Sequence, residues 1–221
     1  MGKYGLTSAA EDFLKAALEL ERGENRATTN ELARRLGVTA PTATAMAKRL
    51  DEQGLVARAP YRGVTLTERG RLVALEVLRH HRLLERYLVE TLGMPLGEVH
   101  AEADRLEHVL SEEVERRIDE ALGFPTLDPH GDPIPDRKLR LADARVHERT
   151  LASLEEGERA SVTRVPDGDG DVLRYLSGLE LVPGSAVEIV LKAPFDGPVT
   201  VRVHGVDHAI ARELADAIGV G

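Results

Sequence analysis

The stretch HAEADRLEH, residues 100–108, places two histidines and three carboxylates within nine residues. On a helix, successive side chains are rotated by about 100°. One face of the helix would then carry four of these five side chains, those of His100, Asp104, Glu107 and His108. The carboxylate of Glu102 would point away from that face. Imidazole nitrogens and carboxylate oxygens are ligands that proteins use to bind divalent cations. The spacing therefore indicates a metal site on a helix.

Two other predicted helices carry similar groups. His81 and Glu85 are four residues apart within an apolar stripe, and Asp12 lies at the edge of the apolar face of the first helix. A buried network of salt bridges would explain any single pair without a metal. Several carboxylates that converge without a cation would repel one another. The seven groups on three helices therefore favour divalent cations.

Charge is unevenly distributed along the 221 residues, whose net charge is −9. Residues 26–71 contain nine Lys/Arg and four Asp/Glu, a net of +5, which leaves −14 for the remainder. This favours one part that binds an anion and another that binds cations. The chain has no cysteine, which excludes disulfides and thiolate metal sites. It has neither a signal-peptide pattern nor an apolar run of membrane-spanning length, so we expect a cytoplasmic protein without a membrane partner.

The basic segment predicts a DNA-binding domain. Helices are predicted over 8–21, 28–38 and 40–54, followed by a hairpin over 55–70, which is the order of a winged helix-turn-helix. The third helix would lie in the major groove, with a basic but purely solvated face as the alternative. We expect base contacts from Thr39, Ala40, Pro41, Thr42 and Thr44, and phosphate contacts from Lys48, Arg49, Arg58, Tyr61 and Arg62.

The rest of the chain changes in character after about residue 148. Two long helices are predicted over 71–92 and 97–122, followed by a proline-rich loop over 124–136. Beyond it, β-branched residues alternate between Gly/Pro turns. The fold class is therefore mainly α with a C-terminal β domain. The predicted domains are a DNA-binding domain over 1–71, a helical metal-binding and dimerisation domain over 72–140, and a small β-barrel over 148–221.

Several motifs together resemble one family. The stretches AEDFLKAALEL, APTATAMAKRLDEQGLV, YRGVTLTERGR, HHRLLERYLVETLG, VHAEADRLEHVLSEEVERRID and GDPIPD occur in the order found in the diphtheria-toxin-repressor family of iron- and manganese-dependent transcriptional repressors. The resemblance covers about residues 8–136. The later stretch VPDGDGDVLRYLSGLELVPGSAVEIV is similar to the Src-homology-3-type barrel, of the FeoA type, that longer members carry.

The resemblance implies two metal sites and a homodimer formed through residues 72–122. The primary site would consist of Asp12, Asp104, Glu107 and His108. The ancillary site would consist of His81, Glu85 and His100, with a further ligand from the barrel, for which Asp169 and Asp171 are the candidates.

Three departures from the family bear on the metal. Iron-type members have a methionine where this chain has Asp12 and a cysteine where it has Asp104. Shorter manganese-type members have a glutamate where Lys15 stands, which favours two separate sites over one closely spaced pair. Carboxylate oxygens suit manganese better than softer metals. We therefore expect Mn²⁺ as cofactor, with Fe²⁺ as the alternative and Co²⁺, Cd²⁺ or Zn²⁺ as surrogates.

The expected function is repression of metal-homeostasis genes, with metal as corepressor. A dimer must place its two major-groove helices, one from each subunit, about 34 Å apart. This distance is about 34 Å because it is one turn of a double-stranded DNA operator. Two alternatives remain. A di-iron enzyme would need Glu-x-x-His on each of two helices, and this chain lacks that pair and any separate catalytic group. A winged-helix regulator of an organic ligand would leave the polar cluster purely structural.

Overall fold

The structure is a computed structural model that describes residues 5–21, 26–59, 63–142 and 149–221. Within these ranges the helices are α1 (Ser8–Leu20), α2 (Thr29–Arg35), α3 (Ala40–Glu52), α4 (Glu68–Glu90), α5 (Val99–Leu106), α6 (Glu112–Ala121), α7 (Gly170–Gly178) and α8 (Arg212–Ala217). The strands are β1 (Val56–Ala59), β2 (Gly63–Leu66), β3 (Arg149–Thr150), β4 (Arg159–Arg164), β5 (Ala186–Lys192), β6 (Val199–Val203), β7 (Val206–Ile210) and β8 (Gly219–Val220). None of the described helices has both the length and the apolar character needed to cross a membrane.

The chain divides into two compact units. The first comprises Met1–His81, Arg105–Glu115 and Pro135–Leu141. Its helices α1, α2 and α3 are followed by the antiparallel pair β1–β2, which confirms the predicted winged helix-turn-helix. The apolar core of this unit includes Phe13 and Leu50, both without exposed surface.

Capping and turn residues set the start of α2 and α3 and the turn between them in this unit. Before α2, the Thr28 hydroxyl accepts from the Glu31 N–H at 3.2 Å, while the Glu31 carboxylate accepts from the Thr28 N–H at 3.0 Å. Gly37 has a positive φ of 63°, which lets the chain turn between α2 and α3. Thr39 precedes α3, and Pro41 occupies its first turn, where a missing N–H costs little.

The single helix predicted over 97–122 is wrong, because the structure breaks it into two. α5 ends at Leu106, and α6 begins at Glu112. The Ser111 hydroxyl accepts from the Val114 N–H at 3.3 Å, which satisfies an otherwise unpaired donor at the start of α6. The break lies within the predicted metal-binding stretch and changes how its side chains are directed.

The second compact unit comprises Arg82–Asp104, Arg116–Ile134 and Ala142–Gly221. Its six-stranded antiparallel sheet has the order β3-β8-β4-β5-β6-β7. Buried Val, Leu and Ile side chains from the sheet and from α7 form one apolar core together with Ala215 of α8. This arrangement confirms the predicted C-terminal β domain.

Candidate metal centre

His108 is the centre of a cluster of carboxylates in the first unit. Its Nδ1 lies 2.8 Å from Glu11 Oε2, and its Nε2 lies 2.9 Å from Asp12 Oδ1. One donor atom each from Asp12, Glu107 and His108 lies within 4.8 Å of the other two. The structure therefore brings together three of the four residues predicted for the primary site.

The charge on His108 follows from these contacts. Hydrogen bonding to Asp12, followed by that to Glu11, raises the pKa of His108 to about 9, although burial opposes the rise. With a carboxylate at each ring nitrogen, the imidazole is held as a cation near neutral pH. A metal ion that uses this ring must therefore displace a proton.

Glu107 is almost completely buried, with 1% of its surface exposed. Its Oε2 lies 2.6 Å from His81 Nδ1. Lys15 Nζ donates to both of its carboxylate oxygens, at 2.7 and 2.8 Å. A buried carboxylate with this many partners is held in one orientation.

The segment between α5 and α6 is anchored by a second set of polar contacts. His80 Nδ1 lies 3.1 Å from the Glu107 carbonyl oxygen, and His80 Nε2 lies 3.2 Å from Glu115 Oε2. Burial lowers the pKa of His80, but hydrogen bonding to Glu115 more than offsets this and the pKa is raised. Arg79 also donates to Glu115, at 2.6 Å. The break in the helix is thereby fixed, and Glu107 and His108 are held beside α1.

A second cluster of donors lies entirely within the second unit. His100 Nδ1 is 3.1 Å from Glu85 Oε1 and 3.2 Å from Asp167 Oδ1. One donor atom from each of these three residues lies within 4.8 Å of the others. Glu85 and His100 were predicted for the ancillary site, and Asp167 lies in the chain between β4 and α7.

Glu85 also belongs to a neighbouring group with Asp128 and His130, whose donor atoms lie within the same 4.8 Å limit. All three residues have at most 1% of their surface exposed. His130 is held in place through its carbonyl oxygen, which accepts from the Val165 N–H at 2.9 Å. A Cβ on Gly131 would lie 2.0 Å from a backbone oxygen, so this loop packs closely on its neighbour.

The electrostatics of this group suit a cation. Burial, followed by repulsion from Glu85, raises the pKa of Asp128 to about 7. Burial lowers the pKa of His130, but the Glu85 carboxylate 3.6 Å away raises it, and the net pKa is about 9. Neither ring nitrogen of His130 has a hydrogen-bond partner among the described residues. Buried carboxylates at this spacing, beside an imidazole without a hydrogen bond, fit a divalent ion better than they fit one another.

The two barrel residues predicted as ligands, Asp169 and Asp171, have other partners in the structure, and their role as ligands stays a prediction. Asp169 Oδ1 accepts from the N–H groups of Asp171 and Val172, at 2.9 and 3.3 Å, and so caps α7. The Asp171 carboxylate is 87% exposed and pairs with Arg174. The acid that meets Glu85 and His100 is Asp167 instead, because the other two are already engaged at the start of α7.

Two predicted ligands have other neighbours within their own units. Asp104 Oδ2 lies 3.7 Å from His100 Nε2, one turn earlier on α5, and its side chain is 47% exposed. His81 lies one turn before Glu85 on α4, and its Nδ1 is taken by Glu107. Their roles as ligands stay predictions.

Sequence reasoning missed four residues of these clusters: Glu11, Asp128, His130 and Asp167. A signal existed for two of them, since LDPHGDP places an acid and a histidine two residues apart beside the GDPIPD motif. The sequence prediction treats that stretch only as an ordered loop, so it assigns no ligand there. Glu11 is adjacent to the predicted ligand Asp12, and Asp167 lies two residues before the predicted ligand Asp169.

The predicted DNA-contacting residues of α3 lie at the surface. Thr39, Thr42, Thr44, Lys48 and Arg49 are all exposed, as are Ala40, Pro41 and the strand residue Arg58. The Thr44 hydroxyl donates to the Ala40 carbonyl oxygen at 2.8 Å. Tyr61 and Arg62 lie outside the described residues.

Three family models match nearly the whole chain. Residues 5–64 match the iron dependent repressor N-terminal DNA binding domain, and residues 67–136 match the iron dependent repressor metal binding and dimerisation domain. Residues 149–221 match the FeoA domain.

Full-length relatives agree with these matches. The iron-dependent repressor IdeR of Mycobacterium tuberculosis is 34% identical over 226 residues, and the diphtheria toxin repressor of Corynebacterium glutamicum is 39% identical over 228. The alignments cover 97% of this chain in both cases, and 97% and 96% of the two relatives. A solved structure described as a manganese-dependent transcriptional repressor in complex with manganese has a TM-score of 0.84 and 38% identity, with 96% of this chain and 98% of that chain covered. The chain therefore belongs to the iron-dependent repressor family, whose members are metal-dependent DNA-binding transcriptional repressors and not enzymes.

Proposed function

We propose that this chain is a manganese-responsive repressor of metal-homeostasis genes that binds its operator as a metal-loaded homodimer. The observation that carries the proposal is the convergence of Asp12, Glu107 and His108, two carboxylates and an imidazole, within 4.8 Å. Asp12 belongs to α1 of the DNA-binding unit, whereas Glu107 and His108 follow α5. A bound ion would thus join α1 of the winged helix-turn-helix to the segment between α5 and α6.

Glu85, His100 and Asp167 would hold a second ion, with Asp128 and His130 as additional or alternative donors. A bound metal ion would supply positive charge that neutralises the converging carboxylates. The residues of the chain orient the donors: His80 anchors the 107–111 segment, and the Asp128 carboxylate accepts from the His130 and Asp132 N–H groups at 2.8 and 2.9 Å. Asp104 and His81 remain predicted ligands of the primary and ancillary sites.

The choice of manganese rests on donor chemistry. Affinity at a fixed set of ligands rises from manganese through iron to cobalt and nickel, so preference must come from ligand type, geometry and availability. The clustered donors are carboxylate oxygens and imidazoles, without sulfur. Iron-dependent and manganese-dependent relatives are similarly distant from this chain, at 34–39% identity, so identity does not decide the metal.

The test uses a duplex selected by the protein from a random library. Fluorescence anisotropy would measure its binding with chelator and with Mn²⁺ or Fe²⁺ at buffered free concentrations. We expect tight binding only with metal, a response to Mn²⁺, and a shift toward Fe²⁺ in the double variant Asp12→Met, Asp104→Cys. Glu98→Gln, an exposed acid, is the control for handling. Binding unaffected by chelator would refute the proposal, and a response to Fe²⁺ without one to Mn²⁺ would refute the choice of metal.

A further inference from the structure

Lys15 places a positive charge inside the proposed primary site. The residue is 8% exposed, and its ammonium donates to both Glu107 oxygens, at 2.7 and 2.8 Å. Its Nζ also lies 3.3 Å from His81 Nδ1. A buried ammonium is stable only when it is paired, so the fold itself holds this cation against Glu107.

The position of Lys15 has a direct consequence for metal binding. Both oxygens of Glu107 are engaged by the ammonium, and Asp12 lies one turn before Lys15 on the same helix. A divalent ion held by Asp12, Glu107 and His108 must therefore share Glu107 with Lys15 or displace it. Two cations on one carboxylate repel each other strongly where water is excluded.

We propose that Lys15 sets the metal affinity of the primary site, because its ammonium competes with the divalent ion for Glu107. The site then binds metal more weakly than its ligands alone would, and the regulator responds at a higher free metal concentration. This inference rests on the proposed function, since it concerns the same site.

The same ion pair also joins the segments that metal would join. Lys15 and Asp12 belong to α1, and Glu107 and His108 are adjacent after α5. Without metal, the Lys15–Glu107 pair therefore holds α1 against the 107–111 segment. Lys15 thus stabilises the metal-free protein and weakens metal binding. Removal of its charge should therefore lower the stability of the metal-free protein and raise its metal affinity.

The test replaces Lys15 by neutral residues and measures both effects. In Lys15→Met and Lys15→Gln, we expect Mn²⁺ affinity to rise about tenfold, because the competing charge is lost. The melting temperature of the chelator-treated protein should fall by several degrees, because a buried ion pair is broken. Glu107 keeps its contact with His81, so the variants should still fold. Affinity is measured by competition with a fluorescent chelator, and melting by circular dichroism.

Two further variants separate charge from packing. Lys15→Arg keeps the charge and should leave Mn²⁺ affinity near that of the wild type. Lys138→Met removes an exposed lysine of the same unit and should change neither measurement. A purely structural role for Lys15 predicts that the neutral variants lose stability and metal affinity together.

Glu107→Gln distinguishes failure of this inference from failure of the proposed function. If Glu107→Gln weakens Mn²⁺ binding but the neutral Lys15 variants bind no more tightly than the wild type, competition by Lys15 is refuted and the site stands. If Glu107→Gln leaves Mn²⁺ binding unchanged, Glu107 is not a ligand, and both the site and the competition are refuted.

Discussion

At the scale of single residues, His108 would link metal binding to pH as a ligand of the proposed primary site. Its pKa of about 9 means that a metal ion must displace a proton from the ring at neutral pH. We expect apparent Mn²⁺ affinity at the primary site to rise about tenfold per pH unit from about pH 6 to 8. Calorimetry in buffers of different ionisation enthalpy should report about one proton released from this ring per ion. His204→Gln, at an exposed histidine, should keep the slope, and a pH-independent affinity would contradict the assignment.

The metal-free protein should show the opposite dependence. The pKa of His108 is raised from its ordinary value of 6.5, so the charged ring contributes stability below about pH 6.5. That contribution is lost as the pH rises through about 9. Metal bound at the proposed primary site and the proton on His108 would therefore stabilise this cluster over complementary ranges of pH.

Asp167 should be the barrel's ligand in the second cluster. Asp167→Asn removes an anionic donor 3.2 Å from His100, and we expect Mn²⁺ affinity at that site to fall by about tenfold or more. Asp171→Asn changes an exposed side chain of the same loop and should leave the affinity unchanged. A two-site titration measures both variants, and equal losses in the two would show that the loop is rearranged when metal binds.

At the scale of elements, α7 depends on Asp169 for its start. Asp169→Ala leaves the Asp171 and Val172 N–H groups without their acceptor, and we expect the free energy of unfolding to fall by about 1 kcal/mol. Asp171→Ala should change it by less than about 0.5 kcal/mol. Urea unfolding of metal-free protein measures both. A loss of bound Mn²⁺ in Asp169→Ala, with stability unchanged, would restore Asp169 as a ligand.

The break between α5 and α6 is the other decisive element. Had the helix continued, Glu107 and His108 would follow the same helical face as His100, as their spacing suggests. The Ser111 hydroxyl caps the start of α6, and His80 Nδ1 donates to the backbone carbonyl oxygen of Glu107 at the break, at 3.1 Å. The carboxylate and the imidazole can then reach Lys15 and α1.

At the scale of the whole molecule, dimerisation should depend on the helical segment 72–122. Exposed apolar side chains there include Leu92 at 60% and Val114 at 46%. We expect light scattering to give a dimer with Mn²⁺ and a monomer for Leu92→Glu, Val114→Glu, which should also lose operator binding. The matched pair Leu191→Glu, Val206→Glu alters exposed apolar residues of the C-terminal sheet and should stay dimeric. A wild-type monomer at micromolar concentration would contradict the prediction.

The sequence by itself determined the helices and hairpin of the winged helix-turn-helix and the types of ligand, carboxylate and imidazole, in the candidate metal sites. The capping box at Thr28 and the proline in the first turn of α3 act between residues at most four apart, so they are readable along the chain. The resemblance to the family rests on the quoted motifs and on their order along the chain. The fold class and the kind of ligand followed from these local patterns.

Only the tertiary structure decided which donors converge. His108 meets Asp12 across 96 residues and Lys15 meets Glu107 across 92, and no local pattern encodes such pairs. The three aspartates of PDGDGD have the same chemistry but different contacts. Asp169 caps α7, the exposed Asp171 pairs with Arg174, and only Asp167 lies beside His100. Donor type is a property of the residue, whereas convergence depends on how distant segments pack, and packing is fixed by the cores that both units bury.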